Sequence, residues 1–398
     1  MPLNVPIYLD NQSTTRVDPR VVEAMLPYFS EHYGNAGSTS HQFGWDAKEA
    51  VEASRLTIAA AIGAGAREMV FTSSATESNN LVIRGLAEQR RRRGNHIVSV
   101  ATEHKAVLDP LDRLRSRGFD ITLLTVKPDD SPQAGQVMPD QVAAAIRPDT
   151  MLVSVMLANN EIGVVQPIAQ IGQICKEQGV VFHTDATQAL GQWPIDVQSL
   201  HVDLMSFSSH KIYGPKGIGG LYVRRTNPPV RLVPLIDGGG QEMGLRSGTI
   251  NVPACVGFAK AIEICRTEMN REQPRLLALR QALYDGFMAA IPNVHLNGPA
   301  LDDGQIRLAG NLNMCFCHVE GESLMLSIGD VAVSSGSACT STSPGPSHVL
   351  RALGLSDDDT RSSLRFGIGR FNTESEIKYV VKKVADAVGR LRSMNSLI

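Results

Sequence analysis

An alternation limits the fold more than any other feature of the chain. Short apolar runs recur through its first two-thirds, each set apart from the next by a helical pattern or a turn. Strand-like runs fall at residues 69–72, 96–101, 121–126, 150–157, 180–184, 202–208 and 221–224. Helical spacing marks residues 45–62, where Ala47, Ala50, Val51, Ile58 and Ile62 share one stripe, and also residues 77–93, 107–117 and 168–178. Near-continuous apolar strands separated by helices predict an α/β fold with a mostly parallel sheet covered on both faces. In such sheets the chemistry gathers beyond the carboxyl ends of the strands.

With 398 residues the chain exceeds the size at which one core stops growing. Past about Asn270 the pattern changes. A charged helix over residues 273–290 leads to apolar segments at 311–319 and 331–334, and an amphipathic helix over 374–391 follows. This predicts a smaller α+β domain. The loop 128–136 is polar, carries Pro and Gly, and is expected to be an exposed insertion.

The net charge of −2 gives no reason to expect a nucleic-acid or membrane partner. The basic run Arg90 to Arg93 precedes Gly94 and reads as a solvated helix end. No stretch is apolar enough to span a membrane, and the start of the chain lacks a secretory pattern. Six cysteines in a chain of this length do not make a disulfide framework. A cytoplasmic protein with reduced thiols is the expectation.

Three segments carry chemistry. Ser206-Phe207-Ser208-Ser209-His210-Lys211 follows an apolar strand and precedes Gly214-Pro215-Lys216-Gly217. A lysine just past a buried strand is desolvated, which favours the neutral, nucleophilic amine. His183-Thr184-Asp185-Ala186-Thr187-Gln188 ends another strand, and a carboxylate there can pair with a protonated ring nitrogen. Thr72-Ser73-Ser74-Ala75-Thr76-Glu77 places small hydroxyl residues between strand and helix, a cradle for a phosphate dianion. Singly, each also suits an ordinary surface lysine, strand-end carboxylate or N-cap.

Together, in this order and spacing, they resemble the class I cysteine desulfurases, a branch of the aspartate-aminotransferase-like, fold type I pyridoxal-phosphate (PLP) enzymes. Further matches are Tyr33-Gly34-Asn35, Thr102-Glu103-His104-Lys105, Asn159-Asn160-Glu161-Ile162-Gly163, Arg246-Ser247-Gly248-Thr249 and Ser334-Ser335-Gly336-Ser337-Ala338-Cys339-Thr340-Ser341. The likeness runs from Tyr8 to about Leu391. It implies a large PLP-binding domain with a seven-stranded sheet over residues 15–262. A small α+β domain over 1–14 and 263–398 would carry the cysteine loop.

The resemblance also implies roles. Lys211 holds PLP covalently. His104 stacks on the ring and helps move protons. Asp185 pairs with the ring nitrogen and Gln188 with the ring oxygen. Ala75, Thr76, Ser208 and His210 hold the phosphate, with Thr249 reaching it from a second copy of the chain in a homodimer. Asn160 contacts ring or substrate. Arg365, together with Asn35, clamps the substrate carboxylate, a task suited to a planar guanidinium. The reaction implied converts L-cysteine to L-alanine and leaves a persulfide on Cys339. That sulfur would go to an iron–sulfur scaffold, or to tRNA and other thio-modification.

Cys339 lies among Ser, Thr, Gly, Ala and Pro residues with little to bury, so the segment reads as a mobile loop. A thiolate that collects sulfur and then delivers it needs that reach. No resident metal is expected, although a loop-borne Cys339 can lend a ligand to a nascent cluster. Cys315 and Cys317 share one face of a strand but have no second zinc-spaced pair, and Cys175, Cys255 and Cys265 read as packing residues. The chain stops at Ser396-Leu397-Ile398, soon after the last helical stretch, where the resemblance implies a longer tail in members serving general cluster assembly. The sulfur acceptor therefore stays open at this point.

Overall fold

The computed structural model describes residues 5–90, 94–226, 228–301, 305–335 and 345–395. Cys339 lies outside the described residues. The strands, in chain order, are β1 Ile7–Tyr8, β2 Met69–Thr72, β3 His96–Val100, β4 Asp120–Leu124, β5 Thr150–Ser154, β6 Val181–Asp185, β7 Leu204–Ser208, β8 Gly219–Val223, β9 Val294–Leu296, β10 Asn311–Phe316, β11 Val331–Ala332 and β12 Ser363–Gly367.

Seven of them form one sheet in the order β2-β8-β7-β6-β5-β3-β4. Pairing is parallel from β7 through to β4, whereas β8 runs antiparallel to both β7 and β2. Every residue of β2, β3, β6, β7 and β8 is buried, which is why these runs read as continuously apolar. Two apolar clusters cover the two faces. One gathers Val98, Val153, Phe182, Met205 and Phe207 with the Gln42–Ala61 helix. The other gathers Val70, Ile97, Leu152, Val181 and Leu221 with the Ala75–Arg90 and Lys105–Arg115 helices.

A third cluster is separate. It joins Ile7 and Leu9 to Leu279, Phe287, Leu312, Phe316, Phe366 and Val384. Its frame is the three-stranded antiparallel sheet β12-β10-β9, with β1 and β11 paired beside it. Phe287 lies 5.5 Å from Phe316 and 5.1 Å from Phe366, centroid to centroid.

One helix, Val252–Ala290, joins the two regions: Val252 to Cys265 belong to the first cluster and Leu276 onward to the third. The sequence marks residues 273–290 as a separate charged helix, because Pro274 imitates a helix start. The structure runs straight through Pro274.

The loop 128–136 is exposed at Pro128, Asp130, Pro132 and Gln133, as expected, but its far end is anchored. Ala134 is fully buried. Gly135 O accepts from Gln166 Nε2 at 2.7 Å, and Gln136 Nε2 donates to Val165 O at 2.7 Å. Asp129 Oδ1 accepts from Gly298 N at 2.6 Å. The side chains of Asp129 and Gln136 thus satisfy backbone groups of neighbouring segments. Among the described residues, no helix is long and apolar enough to cross a membrane.

Candidate active site

Beyond the carboxyl ends of the central strands lies a cavity of ≈ 240 Å³. Ser74, Ala75, Thr76, His104, Asn160, Asp185, Gln188, His210 and Lys211 all line it. Topology brings them together: the Ala75–Arg90 helix starts after β2, His104 follows β3, Asp185 ends β6, and His210 and Lys211 follow β7.

Asp185 is 5% exposed. Its Oδ2 accepts from Asn79 Nδ2 at 2.7 Å and its Oδ1 from the Thr187 amide at 2.9 Å. Lys211 Nζ donates to the Gln12 carbonyl at 2.5 Å and the Ser13 carbonyl at 2.6 Å. Gln188 Nε2 donates to the same Gln12 carbonyl at 2.9 Å.

His104 caps the Lys105–Arg115 helix, its Nδ1 accepting from Ala106 N at 3.0 Å. The neutral ring therefore carries its proton on Nε2. Burial lowers the pKa of His104, with Asp185 opposing. Burial, with Lys211 and Lys216, pushes His210 down to about 4. Both rings are thereby held in the neutral form.

At the start of the Ala75–Arg90 helix the first amides have no intrahelical acceptor. β8 crosses this turn at Gly219, where an added Cβ would sit 2.6 Å from Ser74 C and 2.9 Å from Ala75 N. Only glycine allows that approach. Four buried atoms on lining residues lack a partner among the described residues: Gln12 Oε1, Asn79 Oδ1, Thr187 Oγ1 and Gln188 Oε1. Unpaired buried polar atoms are costly, so this cavity is built for a polar occupant. An anion cradle, a carboxylate and a lysine spaced around one cavity fit PLP.

Other expected residues stand elsewhere. Ser208 is buried at the end of β7, its hydroxyl 3.5 Å from Ile218 O. Arg365 is fully buried one layer behind the wall: Nη1 donates to Asn160 O at 2.8 Å, and Nη2 to Asp10 Oδ1 at 2.8 Å and Ser13 Oγ at 2.7 Å. Its Nε has no partner among the described residues. Asn35 and Thr249 are exposed and do not line the cavity; Asn35 lines a separate depression with Arg55, Gln241 and Glu242.

Sequence reading missed Gln12, Ser13, Asn79, Met156 and Thr187 in the wall. Asn79 was findable, because it lies one turn past Ala75 on the same helix face. Gln12 and Ser13 were not, since only tertiary folding brings them to Lys211.

Two comparisons decide the family. Residues 7–380 match the family model described as aminotransferase class-V. A protein named cysteine desulfurase IscS, from Anaeromyxobacter dehalogenans (strain 2CP-C), is 54% identical over 395 residues, covering 99% of this chain and 95% of that one. The chain belongs to the aminotransferase class-V family.

Solved structures agree with that assignment. A NifS-like protein superposes with a TM-score of 0.88 at 35% identity, covering 97% of this chain and all of that one. SspA in complex with cysteine gives 0.78 at 36% identity, covering 92% of this chain and all of that one. The class-V chain thus has the fold type I PLP architecture, and PLP is its cofactor.

Proposed function

We infer that the protein is a PLP-dependent cysteine desulfurase that converts L-cysteine to L-alanine and an enzyme-bound persulfide. The observation carrying this reading is the single cavity that unites Lys211, Asp185, His104 and the Ala75–Thr76 helix start, in a chain 54% identical to a named cysteine desulfurase. Bound PLP supplies an electron sink for bond cleavage at the substrate Cα.

The chain's own residues do the rest. Lys211 would anchor the cofactor and, as the free amine, move the Cα proton. Asp185, held by Asn79 and the Thr187 amide, would pair with the ring nitrogen. Ala75, Thr76 and His210 would hold the phosphate, with Ser208 joining them only if its hydroxyl leaves Ile218 O, and Gln188 would meet the ring oxygen. His104 presents Nε2–H to the cavity. Asn160 positions the substrate, and Arg365, directly behind Asn160 and Ser13, would take its carboxylate once a side-chain shift opens its Nε edge to the cavity. The Cys339 thiolate attacks the substrate sulfur, forming an S–S bond as the Cβ–S bond breaks.

The active form is a homodimer in which Thr249 and Asn35 complete the second copy's cavity. Both are exposed and remote from their own chain's cavity. Exposed aromatics near Asn35 support this: Tyr33 is 63% and Phe43 50% exposed, with ring centroids 5.4 Å apart. Sulfur leaves to an iron–sulfur scaffold or another thiol acceptor in the cytoplasm. The five described cysteines are all free thiols, as a reducing compartment requires.

Product analysis tests the function. The PLP-loaded protein incubated with L-cysteine and a thiol should release alanine and sulfide in equal amounts. A keto acid in place of alanine would make it a transaminase instead.

A further inference from the structure

Away from the PLP cavity, the three-stranded sheet carries another constellation. Along β10, Leu312, Met314 and Phe316 enter the apolar cluster, while Asn311, Asn313 and Cys315 point to the opposite face. Cys315 is directly opposite His295 of β9 in the ladder and opposite Ser363 of β12. Two residues on, Cys317 returns its thiol to that same face.

The result is a group of three metal-ligating side chains. His295 Nδ1, Cys315 Sγ and Cys317 Sγ all lie within 4.8 Å of one another. Cys317 Sγ is 3.5 Å from His295 Nδ1. Metal–sulfur and metal–nitrogen bonds of about 2.3 and 2.0–2.1 Å in a tetrahedron set ligand separations of about 3.6–3.8 Å. The trio needs only small side-chain adjustments to reach that geometry.

We propose that His295, Cys315 and Cys317 form a binding site for a borderline-soft divalent cation of the zinc class. Asp359 Oδ1 lies 3.8 Å from Cys315 Sγ and is the nearby carboxylate that a side-chain rotation could bring in as a fourth ligand. Two sulfurs and an imidazole select zinc-like ions over magnesium or calcium, which prefer oxygen.

The surroundings are fixed. Arg392, from the helix Glu374–Asn395, donates to Cys317 O through Nε at 3.1 Å and Nη2 at 2.8 Å. Cys317 N donates to Asn293 O at 3.1 Å. Cys315 is fully buried, whereas His295 and Cys317 are half-buried and give an ion access. A bound ion would tie β9 and β10 to the short helix Asp357–Arg361, which leads into β12 and Arg365. Burial raises the Cys315 thiol above its usual range, so loading must expel thiol protons and weakens on acidification.

Cobalt(II) is the probe. The PLP-loaded Cys339→Ser protein, which removes the catalytic thiol from the question, is stripped with chelator and titrated with Co²⁺. The proposal predicts one cobalt per chain with a thiolate-to-cobalt charge-transfer band and intense tetrahedral d–d bands, displaced by Zn²⁺. Cys317→Ser and His295→Ala, each added singly, should weaken binding by at least about tenfold, since losing an outer-shell partner alone costs about 10–100-fold. Retained cofactor absorption verifies that these variants fold. Absence of the bands, their survival in both variants, or recovery of Cys315 and Cys317 as a disulfide would overturn the site. None of these outcomes touches the desulfurase reading, which is assayed by alanine formation.

Discussion

Asn79 Nδ2 donates a 2.7 Å hydrogen bond to Asp185 Oδ2, joining the helix that starts the anion cradle to the strand end that carries the carboxylate. A buried bond to a charged group is worth about 1.5–3 kcal/mol, or roughly 10–100-fold in rate if it acts in the transition state. Asn79→Ala should lower turnover of L-cysteine by that order and shift the pH dependence of the cofactor's visible absorption. Unchanged kinetics and spectra would show that Asp185 needs no such support.

Gly219 tests the cradle. An added Cβ would meet Ser74 C at 2.6 Å, Phe207 O at 2.8 Å and Ala75 N at 2.9 Å, all of them backbone atoms. Something must shift, and the helix start is part of it. Gly219→Ala should cost about 1–3 kcal/mol of stability and release PLP more readily in equilibrium dialysis. Wild-type retention of PLP would mean that the turn does not hold the phosphate.

Arg365 is proposed to take the substrate carboxylate. Arg365→Lys keeps the charge facing Asp10 but loses the planar fork. The expected result is about a 10–100-fold loss of kcat/KM, carried mainly by KM. If KM is unchanged, Arg365 serves only to hold Asp10, Ser13 and Asn160 in place.

Glu103 gives a pH-dependent prediction. It is fully buried, and burial, then Asp185, raises its carboxyl well above the ordinary 4.5. A raised folded-state value favours the protonated form. Its contribution to stability is full below the unfolded value and is lost as pH rises towards the folded one. Glu103→Gln keeps the neutral shape. Above about pH 4.5 the stability gap between the variant and wild type should widen in the variant's favour, by up to about 1.4 kcal/mol per pH unit. Urea midpoints across pH measure it, and parallel curves would contradict it.

The central sheet was legible because β2, β3, β6, β7 and β8 are wholly buried, so their strands read as apolar runs with few polar interruptions. Lys211, Asp185 and the Ala75–Thr76 turn were legible because each follows such a strand. Gln12 and Ser13 were not: they reach Lys211 across about 200 residues of chain, and nothing local marks them. The loop 128–136 is exposed at its tip as its composition suggests, but the anchoring of Asp129 and Gln136 to distant backbone left no local mark. His295 was invisible beside Cys315 because strand pairing, not sequence spacing, makes them neighbours.

In the proposed reaction a cofactor on Lys211 frees substrate sulfur for Cys339. Intact-protein mass spectrometry after one turnover with L-cysteine tests it most directly. Wild-type protein should gain one sulfur atom on Cys339 for each alanine released, and Cys339→Ser, with its PLP still bound, should gain none. A Cys339→Ser protein that still carries the sulfur and passes it to an acceptor at the wild-type rate would contradict the claim.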